Sequence, residues 1–216
     1  MADTADRRHG LSPLARYAER FAAAGRASGG ALRLAELPFL AQVDVRLDPA
    51  GPAADSVALA LGFPLPREPN TLTGGAGSTA LWLGPDEWLV TGPAGTRTDL
   101  ETRLREAVAD AHACVVDVSA QRTTLLVGGT RAAELLAHGC SLDLHPSVFG
   151  AGRCAQTTLA RAQVVLVRDD PGAGSGSGSG PGFRVLVRSS FAGYLADWLL
   201  DAASEFTWNP PDSTRT

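Results

Sequence analysis

Five side chains able to bind a transition metal stand close together in the second half of the sequence. They are His138, Cys140, Asp143, His145 and Cys154. Imidazole, thiolate and carboxylate are the groups that bind zinc in proteins. Their spacing matches no zinc-ligand pattern, however, and Cys140 directly follows Gly139, where a helix that ends at glycine makes an apolar contact. We therefore interpret these residues as packing residues and predict no metal site.

Arg122 lies in a segment, residues 117–123, whose polar residues interrupt two apolar runs. A guanidinium can bind a carboxylate through two parallel hydrogen bonds. Two interpretations stay open, because Arg122 can pair with Asp117 inside the chain or contact a partner. The adjacent Asp86 and Glu87 are interpreted as a solvated turn, since neighbouring turn residues point apart.

Several classes of catalytic site lack their characteristic residues. All 19 basic residues are arginine, so no lysine is available for a Schiff base or a P-loop. The sequence contains neither a GxSxG nucleophile elbow nor a GxGxxG fingerprint opening a βαβ unit. The Gly- and Ser-rich run at residues 169–182 joins two predicted strands, so we predict a flexible loop there. We predict no catalytic residue and no cofactor on this chain.

Composition restricts the possible partners and the compartment. The chain has 216 residues, of which 44% are hydrophobic, and a net charge of −4, which argues against nucleic acid as a partner. Three cysteines without a CxxC pair are typical of a reduced, cytoplasmic protein. Arg7 and Arg8 precede no apolar signal region, and no run approaches the roughly 18 apolar residues that span a bilayer. We predict a cytoplasmic protein with no membrane partner.

Residues 1–30 are predicted to form an N-terminal arm with a short amphipathic helix. Apolar side chains recur there at helical spacing, namely Leu14, Tyr17, Phe21 and Ala24. Pro13 suits the first helical position, and Ser12 precedes it as a cap. This helix can pack on the chain's own core or dock a partner, and the sequence leaves both open.

Residues 31–112 are predicted to form a first α+β unit. A strand at residues 42–47 precedes a helix at 53–61 that ends at Gly62. A hairpin with a two-residue loop at Pro85-Asp86 then places Leu83 opposite Trp88 and Trp82 opposite Leu89. A capping box from Thr98 to Glu101 predicts the next helix, which buries Leu100, Leu104, Val108 and Ala111.

Residues 113–205 are predicted to repeat this order, followed by a tail at 206–216. Strands at 114–118 and 123–127 lead to a helix capped by Thr130 and closed by Gly139. Residues 156–167 and 183–187 form a second hairpin, and a last helix from Ser189 or Ser190 turns Phe191, Leu195, Trp198, Leu199 and Ala202 inward. We predict an internally duplicated α+β fold with mixed or antiparallel sheets.

Seven segments, taken in order, resemble the gamma subunit family of the bacterial heterotetrameric sarcosine oxidases. They are Ser12-Pro13-Leu14-Ala15, Leu37-Pro38-Phe39-Leu40, Leu83-Gly84-Pro85-Asp86-Glu87-Trp88-Leu89, Asp117-Val118-Ser119 with Arg122-Thr123, Gly139-Cys140-Ser141-Leu142-Asp143-Leu144, Cys154-Ala155-Gln156-Thr157, and Arg188-Ser189-Ser190-Phe191-Ala192-Gly193-Tyr194-Leu195. Each is weakly specific alone, but together they are collinear over residues 12–203. The Gly-Ser run at 172–182 is longer than the family needs.

The resemblance implies a helper chain in an enzyme of alpha, beta, gamma and delta subunits. That enzyme oxidises sarcosine with oxygen to glycine and hydrogen peroxide, and with tetrahydrofolate it forms 5,10-methylenetetrahydrofolate. FAD, FMN and NAD are implied for the alpha and beta chains, and zinc for the delta chain. The implied fold is that of the folate-binding aminomethyltransferases.

The same resemblance makes Asp143 a candidate for a folate-related role. Aminomethyltransferases carry an essential acid in a Thr-Asn-Asp sequence, and the corresponding stretch here reads Ser141-Leu142-Asp143. Asp143 and Arg122 are thus the two cofactor-binding candidates. Two alternatives stay open: a stand-alone folate-binding aminomethyltransferase-like protein, and a folate-binding module for iron–sulfur proteins. The second carries a Lys-Gly-Cys-Tyr motif that Gly152-Arg153-Cys154-Ala155 only half matches.

Overall fold

A computed structural model describes residues 10–169 and 182–206, which contain ten strands and five α-helices. The strands are β1 (Arg33–Leu37), β2 (Ala41–Arg46), β3 (Leu72–Gly75), β4 (Ser78–Gly84), β5 (Glu87–Gly92), β6 (Cys114–Asp117), β7 (Arg122–Gly128), β8 (Cys154–Leu159), β9 (Ala162–Asp169) and β10 (Gly182–Arg188). The helices are α1 (Ala18–Ala27), α2 (Pro52–Leu61), α3 (Arg97–Val108), α4 (Ala132–Ala137) and α5 (Ser189–Ala203). Short 3-10 turns, Ala15–Tyr17 and Ser204–Phe206, precede α1 and follow α5.

The strands form two five-stranded sheets, which confirms the predicted α+β class. The first sheet has the order β3-β4-β5-β2-β6, and the second has the order β1-β7-β10-β9-β8. Every pairing between these described strands is antiparallel, so the antiparallel alternative is the correct one.

The order strand, strand, helix, three strands, helix occurs twice along the chain, but each sheet mixes the two halves. Strand β1 pairs with β7 from Arg33 opposite Gly128 to Leu37 opposite Thr124. Strand β6, from the second half, pairs with β2 in the first sheet. The predicted division at residue 112 therefore separates α2 and α3 from α4 and α5. It does not separate the two sheets, because the first strand of each half lies in the sheet of the other half.

Three apolar clusters show how the sheets and helices are layered. One joins the outer face of the first sheet to α2 and α3, and a second joins the outer face of the second sheet to α1, α4 and α5. The third lies between the inner faces of the two sheets, where Leu81 and Leu89 meet Val165, Val167 and Leu186. Because strand side chains alternate between faces, each sheet is buried on both sides over most of its area.

The N-terminal helix packs on the chain's own core. Leu14, Tyr17 and Phe21 are buried in the cluster beneath α5, and the Tyr17 hydroxyl donates to Asp197 Oδ2 at 2.9 Å. The predicted serine cap is wrong. The Ser12 hydroxyl donates to Glu36 Oε2 at 2.6 Å, and α1 has no side-chain cap.

The predicted hairpin has the right loop but the wrong register. Gly84 lies opposite Glu87, as a two-residue loop at Pro85-Asp86 requires. Beyond it, Trp82 pairs with Trp88 and Leu81 with Leu89, because a β-bulge between Trp82 and Gly84 inserts one residue. A bulge shifts every later pair by one residue, and the predicted Trp82–Leu89 pair fails for that reason.

Of the other local predictions, some are confirmed and some are wrong. Helix α2 ends at Gly62 as predicted, and Gly62 is in the left-handed conformation with φ of 83°. The predicted caps Thr98 and Thr130 are wrong, because α3 and α4 begin after Thr96 and Arg131 without a side-chain cap. Phe191 is exposed on α5 rather than inward.

The predicted second hairpin contains an additional turn. Residues 156–167 are not one strand, since β8 and β9 pair with each other across a turn at Ala160, whose φ is 53°.

Ala111 is exposed beyond the end of α3. The predicted flexible loop and the predicted tail lie mostly outside the described residues. No helix within residues 10–169 and 182–206 has the length and apolar character needed to cross a bilayer.

Candidate functional site

Arg122 and Arg188 lie side by side on the inner face of the second sheet. Strands β7 and β10 place them directly opposite each other. They line a cleft of about 330 Å³ with polar residues of β8 and β9, namely Gln156, Thr157, Thr158 and Gln163. The Arg122 backbone carbonyl accepts a hydrogen bond from Gln42 Nε2 at 3.0 Å, which connects this end of β7 to the first sheet.

Charged groups of both signs act on Arg122. Burial and the Arg188 guanidinium lower the pKa of Arg122, while the carboxylates of Asp44 and Glu87 raise it. Burial raises the pKa of Asp44, because it disfavours the charged carboxylate, and Glu87 raises that pKa further. Asp44 Oδ1 is buried and accepts no hydrogen bond from the described residues. The two oppositely charged groups are therefore close enough to interact but do not form an ion pair.

The predicted local pair of Arg122 with Asp117 is wrong. Asp117 instead lies 3.5 Å from the Arg97 guanidinium and accepts hydrogen bonds from the backbone and hydroxyl of Ser119. Strand β6, which ends at Asp117, belongs to the first sheet, whereas Arg122 begins β7 in the second. Asp117 and Arg122 are only five positions apart, but they lie in different sheets because β6 joins the sheet of the other half.

Asp143 occupies an exposed turn away from Arg122. Its Oδ1 accepts a hydrogen bond from the backbone of His145 at 2.9 Å, which is a local turn contact. It lines a separate cleft of about 340 Å³ with Glu68, Phe149 and Arg153. The two cofactor-binding candidates thus belong to different sites, and any folate-related role of either one stays a prediction.

The possible metal ligands are dispersed by the fold. Cys140 packs in the cluster under α5, whereas Cys154 is buried between the sheets. His138 lies against Phe206, and His145 contacts Ser147. Across residues 10–169 and 182–206, no three His, Cys, Asp or Glu side chains are grouped as metal ligands.

Cys154 lies in an environment that suppresses thiol chemistry. Its Sγ donates to the carbonyl of Thr71 at 3.2 Å, and burial raises the pKa of the thiol to about 11. Because the thiolate is the reactive form, Cys154 is inert at neutral pH. The cysteine of residues 152–155, which half match the Lys-Gly-Cys-Tyr motif, is therefore poorly suited to thiol chemistry.

The three cysteines are expected to differ sharply in reactivity. Cys114 is exposed, while Cys140 and Cys154 are buried. At about pH 8, a thiol-specific disulfide reagent should label about one cysteine per native chain rapidly, and all three after unfolding in guanidinium. The variant Cys114→Ser should lose the rapid phase. Rapid labelling of two or three native thiols would contradict the burial of Cys140 and Cys154.

A cleft of about 570 Å³ opens between the sheets at the end opposite to Arg122. The Gly-rich β3–β4 hairpin forms one wall, and Asp169 and Arg184 contribute to the other. Arg184 Nε donates to Asp169 Oδ1 at 2.7 Å, and both side chains are largely buried. Burial raises the pKa of Asp169 and Arg184 lowers it. Asp169 is the last residue of β9, although the sequence assigns it to the flexible loop.

Sequence reasoning missed Arg188 as a partner of Arg122. A signal was present, because alternation along residues 183–188 places Arg184, Leu186 and Arg188 on one face. Only the pairing of β10 with β7 shows that this face also carries Arg122.

A protein-family model described as "Sarcosine oxidase, gamma subunit family" matches residues 46–205 of this chain. This chain belongs to the sarcosine oxidase gamma subunit family. The gamma subunit of sarcosine oxidase from Corynebacterium sp. (strain P-1) is 37% identical over 200 residues, 92% of each chain. The gamma subunit from an Arthrobacter species is 38% identical over 196 residues, 90% of each chain.

Solved structures agree with this membership of the gamma family. A chain of the heterotetrameric sarcosine oxidase from Corynebacterium sp. U-96, in complex with pyrrole 2-carboxylate, matches with a TM-score of 0.81 and 33% identity. The match covers 94% of this chain and 98% of that one. Aminomethyltransferase T from Bartonella henselae matches with a TM-score of 0.62 and 14% identity, over 82% of this chain but 48% of that protein. The second likeness shows a shared fold alone.

Proposed function

We propose that this chain is the gamma subunit of a heterotetrameric sarcosine oxidase and that it contributes a scaffold rather than catalytic residues. The observation that carries the proposal is the likeness to a chain of the Corynebacterium heterotetramer, since it extends over nearly the whole of both chains. The partners are the alpha, beta and delta subunits. The complex forms in the cytoplasm, as the cysteine usage predicts.

In this proposal the chemistry belongs to the other subunits. FAD, FMN, NAD and tetrahydrofolate bind there, and sarcosine is converted to glycine with hydrogen peroxide and 5,10-methylenetetrahydrofolate as products. Support comes from the sequence, which lacks a GxGxxG fingerprint and a lysine, and from the thiol of Cys154, whose pKa of about 11 makes it a poor nucleophile.

We also propose that the scaffold arose by internal duplication. Its support is the repeated order of elements and the matching strand orders β3-β4-β5-β2-β6 and β8-β9-β10-β7-β1. In both sheets the edge strand contributed by the other half pairs with the second strand of its host half. The units at residues 31–112 and 113–205 are then entwined by this exchange rather than independent.

Co-expression with the alpha, beta and delta chains tests the proposed function. We expect an equimolar four-chain complex in size-exclusion chromatography, with flavin absorbance and sarcosine turnover. The gamma chain purified alone should carry no flavin and consume no sarcosine. Stoichiometric flavin or turnover by the isolated chain would overturn the scaffold role, and failure to co-elute would overturn the assembly.

The alternative, a stand-alone folate-binding aminomethyltransferase-like protein, has weaker support. The likeness to aminomethyltransferase T shows the fold only, and this chain spans about half the length of that enzyme. Equilibrium dialysis of tetrahydrofolate against the isolated chain separates the two functions. Tight binding without any partner would favour the alternative.

A further inference from the structure

The inner face of the second sheet consists of an apolar part and a polar part. The apolar part, which includes Cys154, Val165 and Leu186, is covered by the first sheet. Beyond this part the same face carries Gln156 and Arg188, two residues after Cys154 and Leu186, and Gln163, two residues before Val165. With Thr158 and Arg122 they form a polar surface that we name the arginine ledge. The first sheet leaves most of it uncovered, since all of these residues except Arg122 are exposed.

The arginine ledge holds two like charges on residues that are directly paired across two strands. Arg122 and Arg188 face each other on adjacent antiparallel strands, an arrangement that destabilises a sheet when the charges are equal. Guanidinium groups do not lose their proton near neutral pH, so the repulsion cannot be relieved by deprotonation.

Neither guanidinium has a carboxylate partner within residues 10–169 and 182–206. Arg122 and Arg188 form no ion pair of 4.0 Å or less with a described carboxylate. Arg184, which lies on the same strand as Arg188, is by contrast paired with Asp169. The residues that line the cleft of about 330 Å³ include no acidic side chain. Asp44 and Glu87 act on Arg122 only at longer range, and each of them affects its pKa less than burial does.

We propose that the arginine ledge binds an acidic segment of a partner subunit, with one carboxylate received by Arg122 and Arg188 together. This inference rests on the proposed function, because it names the chemistry of one contact in that complex. A planar guanidinium presents two parallel donors to a carboxylate, and two guanidiniums on one face can hold both of its oxygens.

An extended segment suits the arginine ledge better than a free small anion does. Small-molecule sites are concave and bury most of the ligand surface. The arginine ledge crosses the ends of four strands, and most of its side chains, which line the cleft, are exposed. Gln163 and Thr158 offer donors and acceptors for a bound backbone beside the two charges. Gln156 Nε2 is already engaged, donating to the Leu83 carbonyl at 2.8 Å.

The test compares two double variants that remove the same charge. Arg122→Gln with Arg188→Gln removes the proposed contact, and Arg67→Gln with Arg103→Gln is the control at exposed positions elsewhere. Binding of each gamma chain to the co-purified alpha, beta and delta subunits is measured at about 50 and about 300 mM NaCl. We expect the first variant to lose about tenfold or more in affinity at low salt and to show a weaker salt dependence. The control should stay within about twofold of the wild type.

Each outcome decides the inference separately from the proposed function. Wild-type chain that does not bind the other subunits overturns the proposed function itself. If the wild type binds and the two double variants bind with equal affinity, the ledge contact is overturned and the proposed function stands. Binding of inorganic phosphate to the isolated chain, lost in the first variant while assembly is unchanged, would assign the ledge to a small anion and also overturn the inference.

Discussion

The variant Gly129→Ala is expected to lose about 3–5 kcal/mol of unfolding free energy or to accumulate as insoluble protein. Gly129 has a φ of 103°, which L residues rarely adopt. A methyl group there would overlap the carbonyl oxygen of Ala31 and lie 2.8 Å from its carbonyl carbon. That carbonyl cannot withdraw freely, because it accepts a hydrogen bond from the backbone of Arg131 at 3.1 Å. Urea denaturation of the purified variant measures the effect.

Gly95→Ala is the matched control for this substitution. Gly95 also has a positive φ, 85°, but an added methyl group would meet nothing within 4 Å. Its cost should therefore be the conformational part alone, about 1–2 kcal/mol. The difference between the two variants measures the close approach of Ala31, just before β1, to Gly129, just after β7. Equal destabilisation would show that this approach is not rigid.

The variant Trp88→Ala is expected to lose about 3–5 kcal/mol of unfolding free energy. Trp88 is only 1% exposed in the cluster between the first sheet and its helices. Its Nε1 donates to the Pro66 carbonyl at 2.8 Å, which fixes the irregular segment between α2 and β3. Alanine would leave a cavity and an unpaired carbonyl together. Urea unfolding monitored by far-UV circular dichroism measures the loss.

Two further substitutions separate the contributions of Trp88. Trp88→Phe keeps most of the apolar volume but removes the donor, so we expect a smaller loss of about 1–3 kcal/mol. Trp82→Ala is the control for residue type, since Trp82 lies opposite Trp88 but is only half-buried. If Trp82→Ala costs as much as Trp88→Ala, burial is not the origin of the effect.

The layered fold determines which parts of the sheets stay accessible. Helices cover the outer faces of both sheets, and the inner faces cover each other. Where the inner faces are uncovered, they open into a cleft beside Asp169 at one end and into the arginine ledge at the other. Contacts with ligands or partners are most readily made at these two ends and on exposed aromatic residues such as Phe191 and Tyr194.

The sequence by itself determined the type and order of most elements and the membership in the family. Apolar periodicity identified α3 through Leu100, Leu104 and Val108, and Gly62 identified the end of α2. These signals are local, because helix faces and left-handed caps depend on residues within one or two turns. The collinear segments that resemble the gamma family also required no structure.

Tertiary structure alone decided which strands pair and which charges meet. Arg33 pairs with Gly128, far away in the sequence, and Arg122 faces Arg188 rather than the nearby Asp117. The bulge after Trp82 moved the hairpin register by one residue. Strand pairing depends on packing between distant segments, and a single inserted residue reverses which face a side chain occupies. Local sequence propensity shows neither which distant strands pair nor where a bulge shifts the register.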